Sequence, residues 1–308
     1  MGKKISILVP VYNSASFMDK LLQAVEEQRE KFNWDLELIL VDDGSKDNSY
    51  QKIVELSKIY PYIKGIKLSK NFGHQIAVKT ALSHCTGDYV AIIDDDLQDP
   101  PSLLPVFFEY LDKGYDVAYG IRKKRKESII KRICYSAFYR ILKSMSDIYI
   151  PIDSGDFCVM KKRVVDNMLK LQEQSPFLRG IRAWVGFRQI GVDYERAARL
   201  DGQSGYSLKK LLKIAMDGIF SFSNAPIRLI TILGLLGLSF ALIYSGKMVY
   251  AYFMHGLEVK GFATLTIFIS FFGSLTLICL GIIGEYIVRI YDEVRQRPYV
   301  VIETTINI

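Results

Sequence analysis

Through its N-terminal part the chain alternates short apolar runs with stretches of helical period. Residues 5–9, 36–41, 63–68 and 89–93 are rich in Ile, Leu and Val, which predicts buried strands. Between them, residues 15–30 put Phe17, Leu21, Leu22 and Val25 on one helical face, and residues 48–60 and 75–84 continue the helical pattern. This rhythm predicts an α/β fold: a mostly parallel sheet with helices on both faces.

The pattern changes at the C-terminal end. Residues 229–246 and 262–284 carry no charge, and at ~1.5 Å per residue each approaches or reaches the ~30 Å of a bilayer's hydrocarbon. Two transmembrane helices are predicted, and the short link at 255–261 makes them a hairpin. Arg228 precedes the first span and Arg289, Arg295 and Arg297 follow the second, while the link offers only Lys260. That bias predicts an integral protein of the cytoplasmic membrane, with the N-terminal domain and both termini cytoplasmic. Before the first span, Leu208, Leu211, Leu212 and Met216 share a face opposite Lys209, Lys210 and Lys213, so residues 207–222 read as an amphipathic helix lying in the interface. An ordinary core helix is the alternative there. The expected division is a catalytic domain at 1–205, an interfacial helix at 206–225, two spans at 226–290 and a cytoplasmic tail at 291–308. The strand-like composition of residues 298–302 predicts that the tail adds to a neighbour's sheet, which would favour a homo-oligomer.

Composition agrees with this division. Half of the 308 residues are hydrophobic, the excess lying in the two spans. The net charge of +7 is concentrated at Arg122-Lys123-Lys124-Arg125-Lys126, at Lys131-Arg132 and at the lysines before the first span. Anionic lipid head groups suit these clusters; no nucleic-acid module accompanies them, and no nucleic-acid partner is expected. The apolar run after Lys3 and Lys4 is too short for a secretory signal. Cys85, Cys134, Cys158 and Cys279 show no metal-site spacing and read as thiols of a reducing compartment.

The candidate chemistry sits where the strand at 89–93 ends in Asp94-Asp95-Asp96-Leu97-Gln98-Asp99-Pro100. Ligands bind at the C-terminal ends of strands in open α/β sheets. Crowded carboxylates there raise one another's pKa unless a cation neutralises them, and oxygen ligands of this kind suit Mg²⁺ or Mn²⁺. Residues 10–13, 42–47 and 70–74 are polar loops on the same edge. Neither a Walker nor a Rossmann glycine pattern is present.

Val9-Pro10-Val11-Tyr12-Asn13, Val41-Asp42-Asp43-Gly44-Ser45, the aspartate run and Asp153-Ser154-Gly155-Asp156-Phe157 together resemble the signature set of family 2 glycosyltransferases of GT-A fold. The added C-terminal helical pair resembles more narrowly the polyprenyl-phosphate glycosyltransferases, which include bactoprenol glucosyltransferases of the cell envelope and dolichol-phosphate mannose synthases. The resemblance extends to about residue 297. It implies that Tyr12, Asp42 and Asp43 hold base and ribose, with Pro10, Asn13, Lys70, Asp94 and Asp95 completing the donor site. It implies a metal on Asp94 and Asp96, with Gln98 a further oxygen ligand, and a diphosphate clamp at Arg199 in a mobile loop. It places the acceptor phosphate on Arg122, Arg132 and Ser136. Asp96, Arg122 and Asp156 are then the catalytic set, Asp156 orienting donor or acceptor. Cys158 stands where many relatives carry Arg, so that arginine's contacts are missing here.

The resemblance implies an inverting transfer of glucose from UDP-glucose to undecaprenyl or another polyprenyl phosphate. A mannose synthase or amino-pentose transferase is the alternative within the class. A lipid-linked-sugar carrier or flippase subunit is the alternative outside it.

Overall fold

The computed structural model describes residues 3–123, 154–171, 173, 176–195, 225–255 and 261–308. The expected strands are β1 (Lys4–Val11), β2 (Asp35–Asp42), β3 (Ile63–Leu68) and β4 (Tyr89–Ile92), interleaved with α1 (Met18–Phe32), α2 (Ser49–Ile59) and α3 (His74–His84). β1, β2 and β4 are buried almost throughout, as strands covered on both faces must be, which is why they read as continuous apolar runs. α1 starts later than its pattern suggests. Its buried face is Met18, Leu21, Leu22 and Val25, and Phe17 is spent in a turn whose N–H donates to the Ser14 carbonyl at 3.0 Å.

The sheet continues beyond β4. α4 (Leu104–Asp112) leads into β5 (Val117–Lys123), and β6 (Ser154–Lys161) runs into α5 (Lys162–Leu169). α6 (Leu178–Trp184) then precedes β7 (Gln189–Glu195). With the tail strand β8 (Ile302–Ile306), the order is β7-β5-β6-β4-β1-β2-β3-β8. β4, β1, β2 and β3 are parallel, and β6 runs antiparallel between β4 and β5. That reversal brings the start of β6 to the C-terminal end of β4, opposite the aspartate run.

β8 corrects one expectation. The tail strand lies at 302–306, and it pairs antiparallel with this chain's own β3, Gly65 opposite Ile306 and Lys67 opposite Thr304. Lys67 pairs with Glu303 at 2.9 Å, and Ile306 lies over Gly65 beside Ile53. β3 would otherwise leave an open edge, which the chain covers with itself. The argument for a homo-oligomer through this strand therefore fails.

The sheet, its helices and residues 298–308 form one compact unit; the second contains α7 (Ala225–His255) and α8 (Phe262–Val294). Both helices are long and apolar enough to cross a membrane, over Ile230–Lys247 and Phe268–Val294, and their apolar side chains face outward. Phe240 and Tyr244 of α7 pack on Phe268 of α8, ring centroids 5.9 and 5.3 Å apart. The segment at 207–222 and most of the link at 255–261 lie outside the described residues.

Candidate active site

Two loops build the first half of the site. Pro10 is tolerated inside β1 because β4 has already ended its pairing at Leu8, so no neighbour on that side calls on the missing N–H. Beyond it, Tyr12 is 44% exposed, and Asn13 turns left-handed at φ 53°. The Asn13 side-chain oxygen accepts the Lys46 N–H at 2.8 Å, while its own N–H donates to the Ser45 hydroxyl at 3.0 Å. The two loops are thus tied together.

Asp42 and Asp43 end β2 fully buried. Asp43 accepts the N–H groups of Phe72 at 2.7 Å and Gly73 at 2.9 Å, fixing the loop before α3. Asp42 accepts the Ser45 N–H through Oδ1 at 3.3 Å, and its buried Oδ2 has no hydrogen-bond partner among the described residues. Burial pushes both carboxyls up, against those hydrogen bonds. Gly44 lies so close to the 70–71 backbone that a Cβ would come 2.5 Å from the Lys70 carbonyl carbon. Lys70 Nζ sits 5.0 Å from the Phe72 ring centre.

The second half is ionic. Asp156 on β6 accepts Arg179 Nε at 2.8 Å and Nη2 at 3.2 Å from α6, and Gln75 Nε2 at 3.1 Å from α3. His74 Nε2 is 3.3 Å from Asp156 and 3.8 Å from Asp94. Burial disfavours the Asp156 carboxylate, yet the Arg179 charge and the hydrogen bonds from His74 and Arg179 hold it well below the usual range. Burial would lower His74, but its bond to Asp156 and the Asp94 charge raise it to about 9. Asp94 is pushed up to about 6 by burial; His74 opposes this, and Asp99, Asp156 and Asp96 add to it.

The three aspartates face different partners. Asp95 accepts the Tyr12 N–H at 3.4 Å, and burial raises its pKa against help from Ser14 and Tyr12. Asp96 accepts the Gln98 N–H at 3.1 Å across a turn in which Leu97 is left-handed at φ 56°, and Gln98 is buried. Asp99 is buried and accepts the Tyr194 hydroxyl.

Among the described residues no three His, Cys, Asp or Glu side chains form a ready cage for a metal. The donor set still fits Mg²⁺ or Mn²⁺, which use one or two carboxylates and take their other ligands from water and substrate phosphates. Mutual repulsion at Asp94 is what such a cation relieves.

The fold therefore brings Pro10, Tyr12, Asn13, Asp42, Asp43, Lys70, Asp94, Asp95, Asp96, Gln98 and Asp156 to one edge of the sheet. Arg122 lies on β5 opposite Tyr194. Arg132, Ser136 and Arg199 lie outside the described residues. Sequence reasoning missed His74, Gln75 and Arg179. His74 ends the loop recognised as polar and Gln75 follows it, and their position at the start of α3 was the available signal. Arg179 lies in a helix too short for its period to show.

A mostly parallel sheet with an acidic rim at its strand ends is the architecture of a GT-A glycosyltransferase domain. A family model described as "Glycosyl transferase family 2" matches residues 6–169. The uncharacterized glycosyltransferase YkcC of Bacillus subtilis is 41% identical over 304 residues, 98% of this chain and 94% of that protein. The bactoprenol glucosyl transferase of Shigella phage SfII is 36% identical over 301 residues, 97% of each. The chain belongs to glycosyl transferase family 2. Among solved structures, the mannosyltransferase PcManGT from Pyrobaculum calidifontis is similar at a TM-score of 0.47 and 17% identity, over 91% of this chain and 88% of that one.

Proposed function

We propose that this chain is an inverting, metal-dependent hexosyltransferase that moves glucose from UDP-glucose onto a polyprenyl phosphate at the cytoplasmic membrane face. The observation that carries the donor side is Asp42 Oδ2, a buried acceptor without a partner among the described residues, on the residue paired with Val11, next in sequence to the exposed Tyr12. A nucleobase offers an N–H for the first and a face for the second. The lipid acceptor is supported by the bactoprenol glucosyl transferase relative and by two helices long and apolar enough to cross a membrane.

Asp94 and Asp96, with Gln98, would hold a divalent ion, which supplies charge to stabilise the departing diphosphate. An oxygen of the phosphate monoester forms the new bond to the anomeric carbon. The bond from that carbon to the nucleoside diphosphate breaks in line, its electron pair leaving on the diphosphate. A phosphate monoester has its second pKa near ~6, so the nucleophile is largely ionised at neutral pH and needs no strong base. Asp156, engaged by Arg179, Gln75 and His74, acts as a fixed anion that orients the reactants. Arg122, Arg132 and Ser136 are assigned to the acceptor phosphate, and Arg199 to the diphosphate.

Membranes containing the protein, given radiolabelled UDP-glucose and prenyl phosphate, should pass label into the lipid phase, and chelator should stop it. Label from GDP-mannose alone would move the assignment to a mannose synthase. No label from any sugar nucleotide would favour the carrier.

A further inference from the structure

We propose that Arg182 is a further anion-binding arginine of the site, one that takes two oxygens of a substrate phosphate on its side-on edge. The proposal rests on the reading above only in that both substrates carry phosphate.

Arg182 is 3% exposed, in the last turn of α6. Its guanidinium stacks on the Tyr119 ring at 4.9 Å and lies against the Cys158 thiol. Among the described residues neither Nε nor Nη2 has a hydrogen-bond partner. These two atoms form one edge of the planar group, the edge that matches a pair of oxygens side by side. Arg179, three residues earlier on the same helix and so on the same face, uses that edge on Asp156, Nε to one oxygen and Nη2 to the other. Cys158 follows Asp156 by two residues on β6, so both face the same side of the sheet. α6 therefore sets two guanidinium forks over one face of β6. One is filled by a carboxylate; the other, among the described residues, lies on an aromatic ring and a thiol.

A buried charged group with two N–H donors unmet carries their full desolvation cost. An oxyanion presenting two oxygens would offset it. The substrates offer two sources of that chemistry, the donor diphosphate and the acceptor monophosphate. Neither Arg179, engaged with Asp156, nor position 158, a thiol here, supplies a second fork.

The test uses the full chain in detergent with Mn²⁺, titrated separately with UDP and with farnesyl phosphate, alongside R182M and R182K. R182M keeps the bulk and removes the charge. The expected result is a ligand-free melting temperature equal to or above wild type, because an uncompensated buried charge is gone. Affinity for at least one probe falls about tenfold or more, the loss of a charge-assisted pair, and the probe affected identifies the source. R182K, charged but without the fork, recovers only part of that affinity. Wild-type affinity of R182M for both probes overturns the proposal and leaves the transferase reading standing. A wild-type protein that binds neither probe overturns both.

Discussion

Arg179 grips Asp156 at two points, Nε on Oδ1 at 2.8 Å and Nη2 on Oδ2 at 3.2 Å. The grip explains how a 9% exposed carboxylate stays ionised near Asp94, whose own carboxyl is pushed up to about 6. It also joins α6 to β6, so one pair of residues serves both packing and charge. R179Q leaves Asp156 buried with its strongest counter-charge gone. The Arg179 side chain is 30% exposed, so solvent screens part of the effect, and the expected loss is about 2–3 kcal/mol of stability at pH 7. Asp156 is depressed in the folded state, so its contribution is present above the ordinary carboxylate pKa and lost as pH falls below it. The gap between R179Q and wild type should narrow below about pH 4, read as the difference in melting temperature across a pH series.

Glu37 sets an acid limit far from the candidate site. It is buried at the start of β2, accepts from Ser6, Thr86 and Gly87, and pairs with Lys64 at 2.8 Å. Burial alone would raise its pKa, but Lys64, Ser6 and Thr86 bring it from 4.5 to about 2. A depressed carboxyl stabilises the fold above its unfolded pKa. That stability, about 3 kcal/mol by linkage, should be lost as pH falls from 4.5 towards 2. E37Q should flatten the acid limb of a melting-temperature profile and lower its neutral plateau.

Gly44 is the position where backbone freedom matters most to the donor loops. Its φ is +65°, and a Cβ there would meet the Lys70 carbonyl carbon at 2.5 Å and the Asn71 nitrogen at 2.6 Å. Backbone cannot yield as a side-chain tip can. G44A should cost about 1–3 kcal/mol and push the 70–74 loop off Asp43, seen as a weaker UDP affinity in calorimetry with a smaller change in kcat. Unchanged affinity would mean that this loop does not shape the donor site.

The legible part of this chain is the part where each element buries one kind of face. Strands β1 and β2 declare themselves because both their faces are covered, and α1 because Leu21, Leu22 and Val25 recur at helical spacing. The rim carboxylates Asp42, Asp43, Asp94 and Asp96 were legible as polar breaks at the ends of apolar runs. β5, β6 and β7 were not, since their pairing joins segments far apart in the chain and carries no local signal. The partnership of Arg179 with Asp156 was hidden for the same reason. β8 was half legible: its composition signalled a strand, but not that the edge it covers is its own.

That covered edge carries a prediction. Truncation before Pro298 would remove β8 and expose the N–H and C=O groups of β3 along Gly65–Leu68. It would also take away Tyr299, whose ring lies 4.5 Å from the buried Lys79 ammonium. Exposed strand edges pair with one another, so the truncated protein should form larger species than the full chain in size-exclusion chromatography. I306D, which puts a charge against Ile53 and Gly65 without shortening the chain, should show the same tendency and a lower melting temperature. A truncated chain as monodisperse as the full one would show that β3 does not need its cover.

The three consecutive aspartates should not behave alike when each is changed to asparagine. Asp95 is turned towards the first loop, accepting from Tyr12, so D95N should weaken nucleotide binding modestly and leave turnover largely intact. Asp94 faces His74 and the other carboxylates, and Asp96 sits across the Leu97 turn from Gln98. If these two hold the divalent ion, D94N and D96N remove charge where the leaving diphosphate develops it, and sugar transfer should fall about a hundredfold or more. EDTA should abolish wild-type transfer, with Mg²⁺ or Mn²⁺ restoring it. The same EDTA should leave the melting temperature nearly unchanged, since Asp94 and Asp96 lie beyond the end of β4 and the packed core is apolar. Full transfer rates in D94N, or in wild type with excess EDTA, would remove the metal from the reaction and leave His74, 3.8 Å away, as a cation beside Asp94.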